Sequence, residues 1–517
     1  MDPETHLNAT AKRVRLECTP LERSLSLDGC AEPLTVTQRL RELGTGAGSV
    51  LFESGDFDGA LPTLRWSFVV ARALVRLRLR SGTWRVEPSC DSGREVAAIL
   101  RSRAEIAAEP CAAHDDGSRL RASSSLDLLR DASMVLRDVR PATLPPGVFG
   151  AIAYDFVDAF EELGPRKPDP LDEPDASFVL VQDVIVFDHA KRRVHLIARG
   201  LPHETLDDVR ARLFALEQAV RPGEATRTLA RREPRLSTGD ADEAEFIEAV
   251  QCVKRHIVAG DVFQAVLSRR VVVESAAPPL EVYRALRQEN PSPYMFCLEL
   301  EPGSLLGASP ETFLRVEDGD VEIRPIAGTA LRARRADGNL DDERDRRLAL
   351  ALLLDEKELA EHMMLVDLAR NDVARVSVPG TTRVVEALAI ERYAHVQHLV
   401  SRVRGRLRPG LDALHAYRAA ANTGTLTGAP KPRAMRLLRE LEPTARGFYG
   451  GAVGYLLADG RFDSCIAIRS LRGKDGRYVV QSGAGIVHDS DPAREFAETC
   501  HKARACLTAV AMAEGRP

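Results

Sequence analysis

Apolar positions along the chain change period several times, and each change marks a predicted element. Short apolar or alternating runs such as "SFVLVQDVIVFD" and "RRVHLIA" predict strands in the first two hundred residues. Turn clusters and a polar surface loop, "PCAAHDDGSRLRASSS", break them up. Residues 221–242, within "RPGEATRTLARREPRLSTGDADEAE", carry few apolar positions and no period, which predicts a linker. It separates an N-terminal domain, 1–220, from a C-terminal domain, 243–517. Helical spacing then returns with Phe246, Val250, Val253 and Ile257, with Ser237, Thr238 and Asp240 as candidate caps. Strand and helix patterns alternate irregularly from there to the end, without a fixed-period repeat. The mixture is compatible with an α+β fold but does not specify one.

The stretch "LLLDEKELAEHMMLVDLARND", Leu352 to Asp372, departs from ordinary amphipathic patterning. At about 100° per residue, Glu358 and Glu361 project close to the line of Leu354 and Leu365, a face expected to enter a core. Glu356 and Asp367 already supply a wet face on the other side. Two inward carboxylates one turn apart repel each other and lose hydration unless a cation or a hydrogen-bonding ligand meets them. The alternative is a plain helix whose wet edge lies elsewhere.

Composition narrows the classes. A chain of 517 residues with 44% hydrophobic content is long enough for about two to four domains with sizeable cores. A net charge of −5 is small for this length and gives no sign of nucleic-acid binding. The start "MDPETHLNATAKRVRL" lacks the apolar core of a signal peptide, and no apolar run approaches the ~20 residues of a membrane span. Nine scattered cysteines without a CxxC pair favour free thiols in a cytoplasmic protein over disulfides or zinc.

Two glycine-rich stretches mislead. "GTGAGS" runs into strand-like "VLFES" instead of a helix, and "GTLTGAPK" lacks the ending of a phosphate-binding loop. A second acidic pair, Glu495 and Glu498 in "DPAREFAETCHKARA", is again three apart, with Lys502 on the same helical face. Alone it reads as an exposed helix with a weak Glu498–Lys502 pair. Together with Glu358 and Glu361 it suggests a hard divalent cation, which takes oxygen ligands and often the substrate's own. "QSGAGIV" offers consecutive backbone amides to an anion, and Arg469 in "CIAIRS" is a cation on an otherwise apolar strand that needs an acid partner. Such a site suits a small dianionic metabolite.

The motifs "NPSPYMF", "GASPE", "RPIAGT", "DEKELAEHMMLVDLARND", "HVQHLVS", "GTLTGAPK", "GFYGGAVGY", "DSCIAIRS" and "GAGIV" follow in that order from Asn290 to Val487. The series resembles the chorismate-utilising enzymes, most closely the anthranilate synthase component I group. "LFESGD" extends the likeness weakly into the first domain. The resemblance implies an α+β fold: a large chorismate-binding domain with extensive antiparallel, sandwich-like sheet covered by helices, plus a smaller N-terminal α+β domain. It also implies Mg2+ held by Glu361 and Glu498, with Glu358 and Glu495 beside them or acting through water. Tyr449, Arg469, the amides of Gly483, Ala484 and Gly485, and Lys502 would hold substrate, with Gly328 and Thr329 lining the pocket.

Two positions separate branches of that family. Aminodeoxychorismate synthases typically carry a nucleophilic lysine in "PIKGT", where this chain has Ala327. Isochorismate and salicylate synthases typically use a lysine to activate water where this chain has Gln264, a poor base. Direct addition of ammonia at ring C2 is therefore expected, with Glu311 as general acid. Pyruvate elimination to anthranilate would follow, assigned to His398, and Thr425 joins the catalytic set by resemblance. No glutaminase signature is visible, so a separate glutamine amidotransferase subunit is expected to supply ammonia. L-tryptophan is expected to inhibit through Glu53, Ser54, Pro293, Tyr294 and Met295. The alternatives are a synthase that stops at aminodeoxyisochorismate and an inactive regulatory relative.

Overall fold

A computed structural model describes residues 15–43, 50–55, 65–104, 120, 123–223, 228–234, 243–335, 339–393 and 396–515. The candidate caps Ser237, Thr238 and Asp240 and the "GTGAGS" stretch lie outside the described residues.

Two long strands form the spine. Trp66–Arg80 alternates strictly at its end, with Leu77 and Leu79 buried between arginines that reach solvent. Ala176–Asp188, the "SFVLVQDVIVFD" run, is buried at every position. The two pair antiparallel along nearly their whole length. From this spine the sheet divides. One arm runs through Gly147–Ile152, Ala452–Leu457, Phe462–Ile466, Thr312–Glu317 and Asp320–Ile323 to Val396–Arg406, which pairs with Ile326–Leu331 and Arg383–Arg392. The other runs through Val50–Glu53, Tyr294–Leu300, Gly303–Ser309, Ser470–Lys474 and Arg477–Ile486 to Gln264–Glu274. Strands from before residue 220 and after residue 243 thus share one sheet.

The arms enclose an apolar interior that includes Phe68, Phe149, Val179, Phe296, Leu305 and Val453. Helices cover both outer faces. Gly93–Ala104, Asp127–Met134, Glu356–Val376 and Ala413–Ala420 bury their apolar stripes against the first arm. Pro33–Glu42, Leu206–Ala219, Pro279–Glu289 and Pro492–Ala513 do so against the second. The architecture is the expected α+β class: a largely antiparallel, sandwich-like sheet covered by helices. The helix Glu243–Val258 buries Phe246, Val250 and Val253, as its spacing predicted. Between it and the helix ending at Ala219, the described residues form no helix or strand.

The chain passes from one arm to the other near Pro310–Glu311 and again near Ala467–Arg469. The two crossings are tied together: Ile466 N–H donates to the Glu311 carbonyl (3.0 Å), and Ala308 N–H to the Arg469 carbonyl (3.0 Å).

Candidate active site

The acidic helix begins later than its apolar pattern suggested. Asp355 ends the helix Asp342–Leu354 and caps Glu356–Val376, its side chain accepting from the N–H groups of Lys357 and Glu358 (both 3.0 Å). Leu354 therefore belongs to the preceding helix and is 76% exposed, which corrects its placement on an inward face. Leu365 is buried, and Glu358 and Glu361 are partly buried beside it. Burial first, then repulsion by Glu361 and Asp355, raises the Glu358 carboxyl above its ordinary range. Glu498, from the helix Pro492–Ala513, adds to that repulsion. Glu495 is likewise raised, chiefly by burial, against a lowering hydrogen bond from Ser490. The two acidic pairs thus share one electrostatic site.

Glycines make the floor. Gln264 Nε2 donates to Glu361 Oε1 (2.9 Å), and a Cβ on Gly485 would stand 2.6 Å from that same nitrogen. A Cβ on Gly483 would lie 3.1 Å from the Tyr449 hydroxyl. Gly328, at φ +70°, brings its backbone so close that a Cβ would meet Glu358 Oε2 at 3.1 Å. Gly483 to Gly485 do not form the cradle of consecutive amides the sequence suggested. They are extended strand, registered against Ser268, Leu267 and Val266, and the Ala484 methyl is buried in the core formed by Phe246 and Leu267. Lys502 Nζ donates to the Gly483 carbonyl (2.9 Å) and pairs with Glu498 (2.6 Å).

The proton-transfer candidates are buried deeper, near Lys502 and Arg469. Glu311, at one crossing, is 7% exposed, and burial raises its pKa to about 8 against the lowering effects of a Thr425 hydrogen bond and the Lys502 charge. His398 is 8% exposed, and burial lowers its pKa to about 4. Its Nδ1 shares a hydrogen bond with Thr329 Oγ1 (3.0 Å), its partner across the strand pair, and Tyr393 packs edge-on against its ring. Near neutral pH the glutamic acid is protonated and the imidazole uncharged. Arg469 is not on a strand, as the apolar run implied. It occupies the other crossing at φ +49°, its Nη1 donating to the Lys502 carbonyl (3.2 Å), and burial lowers its pKa. Its electrostatic neighbours include Tyr449 and Glu498. Lys357, Ser490 and Tyr393 were not singled out from sequence: Lys357 acts on Glu495 from another helix, while Ser490 and Tyr393, each five residues from its partner, belong to no recognisable motif.

Among the described residues no three His, Cys, Asp or Glu side chains converge as a ready-made metal cage. The donors nonetheless fit a hard divalent cation. All are carboxylate oxygens, and the repulsion that raises Glu358 is what a cation relieves.

Glu53, Ser54, Pro293, Tyr294 and Met295 come together elsewhere, around a cavity of about 40 Å³ that Phe52 and Trp66 also line. Glu53 already accepts from the Tyr283 hydroxyl (2.6 Å) and faces Arg287 (3.4 Å). Ser54 Oγ is buried without a hydrogen-bond partner among the described residues.

A glycine floor beneath facing carboxylates, with a protonated acid and a neutral imidazole at its closed end, defines an enzyme site for a small anionic metabolite. The family profile described as chorismate binding enzyme matches residues 86–508. The chain is 47% identical over 410 residues to anthranilate synthase component 1 of Vibrio cholerae, covering 78% of this chain and 77% of that one. The crystal structure of anthranilate synthase component I from Streptococcus pneumoniae superposes with a TM-score of 0.72 at 32% identity, over 87% of this chain and 93% of that one. The menaquinone-specific isochorismate synthase of Escherichia coli shares the fold at 18% identity, with a TM-score of 0.65 over 98% of each chain. The chain belongs to the chorismate-binding enzyme family, in its anthranilate synthase component 1 branch.

Proposed function

We propose that the chain converts chorismate and ammonia to anthranilate, pyruvate and water, as the large subunit of an anthranilate synthase. The observation that carries this reading is the opposite displacement of two buried groups, Glu311 beside Lys502, up to about 8, and His398 near Arg469, down to about 4, with Arg469 bonded to the Lys502 carbonyl. Ammonia adds at ring C2 while protonated Glu311, oriented by Thr425, gives its proton to the departing C4 hydroxyl. Neutral His398, held by Thr329, then removes the C2 proton as pyruvate leaves. Ala327 offers no nucleophile, and Gln264, locked by Glu361, offers no base to activate water. Tyr449, Arg469, Lys502 and the Gly483–Gly485 strand bind and orient the substrate's carboxylates. Glu361 and Glu498 would hold Mg2+, with Glu358 and Glu495 beside them, and the ion would supply Lewis-acid stabilisation of negative charge on the substrate.

Ammonia comes from a separate glutamine amidotransferase subunit, and the free thiols among the described cysteines suit a cytoplasmic setting. The test is turnover by the pure chain with chorismate and magnesium at mildly alkaline pH. Ammonium salt yields anthranilate and pyruvate; glutamine yields neither. Robust glutamine-dependent turnover overturns the partner assignment, and release of an aminated ring without pyruvate overturns the product.

L-tryptophan inhibits from the cavity around Ser54, whose unpartnered hydroxyl suits an amino-acid head group and whose aromatic walls suit an indole. At about 40 Å³ the cavity must widen to admit it. Ser54→Phe is expected to relieve inhibition without lowering uninhibited turnover. Wild-type turnover that ignores added tryptophan counts against the site.

A further inference from the structure

Behind Tyr449 the interior carries a cluster of buried charged side chains. Arg472 lies mid-strand, paired to Leu305 on one side and Val479 on the other, and is 4% exposed. The next strand pair on that sheet sets Gln481 opposite Arg270. These side chains line a cavity of about 20 Å³, together with Glu173, Arg446 and Phe448. Arg446 is held by four hydrogen bonds: Glu442 accepts from its Nε (2.7 Å) and Nη2 (2.6 Å), the Leu426 carbonyl from Nη1 and the Val266 carbonyl from Nη2. Arg270 reaches Gln481 Oε1 (3.1 Å) and the Ala445 carbonyl. Glu173 pairs with Arg472 Nε while accepting from Phe448 N–H (2.7 Å). Arg472 Nη1 and Nη2 have no hydrogen-bond partner among the described residues.

Charge and size then define a ligand. Three guanidinium groups line this space against one carboxylate, Glu173, which also accepts from backbone; Glu442, bound by Arg446 and by Ser268 N–H, lies outside it. Asp169 adds to the field at Glu173 but does not line the cavity. A buried guanidinium with two idle NH2 groups is costly, because its desolvation is repaid only by an acceptor in reach. The space admits one small particle and no polyatomic metabolite. A water could accept from Arg472 but would leave the excess positive charge uncompensated. We propose that this cavity is a binding site for a monatomic halide, chloride in the cell, which closes the arginine cluster and fixes the Arg446–Tyr449 segment.

The proposal is independent of the reaction assigned to the front of the pocket. Bromide replaces chloride and scatters anomalously, so crystals of the wild-type chain grown in bromide should show a peak in the Arg472 cavity. Thermal unfolding should run about 2 °C or more higher in chloride than in gluconate of equal ionic strength. Arg472→Met should lose that chloride dependence, and if it fails to fold the wild-type bromide and melting experiments still decide. An occupied bromide peak with chloride-specific stabilisation supports the site. No peak and equal melting in both salts overturns it, leaving water as the occupant.

Discussion

At the mouth of the pocket, Glu358, Glu361 and Glu498 stand on two helices, partly in contact with solvent, and burden one another with like charge. At its closed end, Glu311 and His398 are almost sealed from water, and burial leaves both uncharged near neutral pH. One physical cause, the cost of burying a charge, has opposite outcomes because one group is an acid and the other a base. At the mouth, neighbouring acids add to burial in raising Glu358, while Lys357 works against them. At the closed end, burial favours the protonated form of Glu311 and the neutral form of His398. A small change in depth therefore decides whether a carboxylate is crowded by like charge or held protonated by burial.

The comparison breaks most sharply at Glu311. Glu311→Gln keeps the shape and removes the transferable proton, so kcat with ammonium should fall by about 10²–10⁴-fold, measured as anthranilate fluorescence. Stability should move the other way. The raised folded pKa of Glu311 means that its contribution is complete in acid and lost as pH rises through about 8. At pH above that value the glutamine variant should therefore melt higher than the wild type. A variant of normal activity would remove Glu311 from the chemistry.

His398→Gln should cost about 10²-fold or more in pyruvate release, with aminated, non-aromatic intermediate accumulating because the first step survives. Equal loss of both steps would assign His398 to substrate binding instead. The mouth should respond more mildly. Glu498→Gln should lower kcat/KM by about 10–100-fold, with the loss partly recovered at high magnesium. An activity insensitive to magnesium in that variant would reduce the pair with Lys502 to a surface contact.

The smallest effect is the pH profile. Wild-type kcat should decline above about pH 8 as Glu311 loses its proton, and on the acid side only near pH 4 as His398 gains one. In Glu311→Gln the residual rate should lose the alkaline limb. A limb that persists there belongs to another group.

Much of this was legible in the chain because it is local. The spacing of Phe246, Val250 and Val253 gave a helix, and the continuous run from Ala176 gave a strand buried at every position. Spacing also paired Glu358 with Glu361 and Glu495 with Glu498 and suggested that the two pairs serve one cation, while the assignment of Glu361 and Glu498 as its ligands depended on family resemblance. What local pattern misplaced was also physical. Asp355 caps a new helix inside an unbroken apolar period, so Leu354 fell on the wrong element. Arg469 looked like a strand residue because the bend at the crossing follows an apolar strand without a proline or glycine to announce it. The Gly483–Gly485 run suggested freely presented amides, whereas the glycines are small so that Gln264 and Tyr449 can approach a ladder. The displaced pKa values of Glu311 and His398 come from long-range packing and leave no trace in residue spacing.

The weave of the sheet also bears on how the chain is made. Ile152 pairs with Ala452 and Gly147 with Leu457, so a central strand of the first arm waits some three hundred residues for its neighbour. At about 5–20 residues per second, a ribosome leaves that hydrophobic edge uncovered for roughly 15–60 seconds. Over that interval the nascent chain carries an open edge able to recruit a strand from another polypeptide. Synthesis is thus the stage at which this molecule most needs chaperones, and a truncation lacking the last seventy residues would emerge with that edge permanently bare.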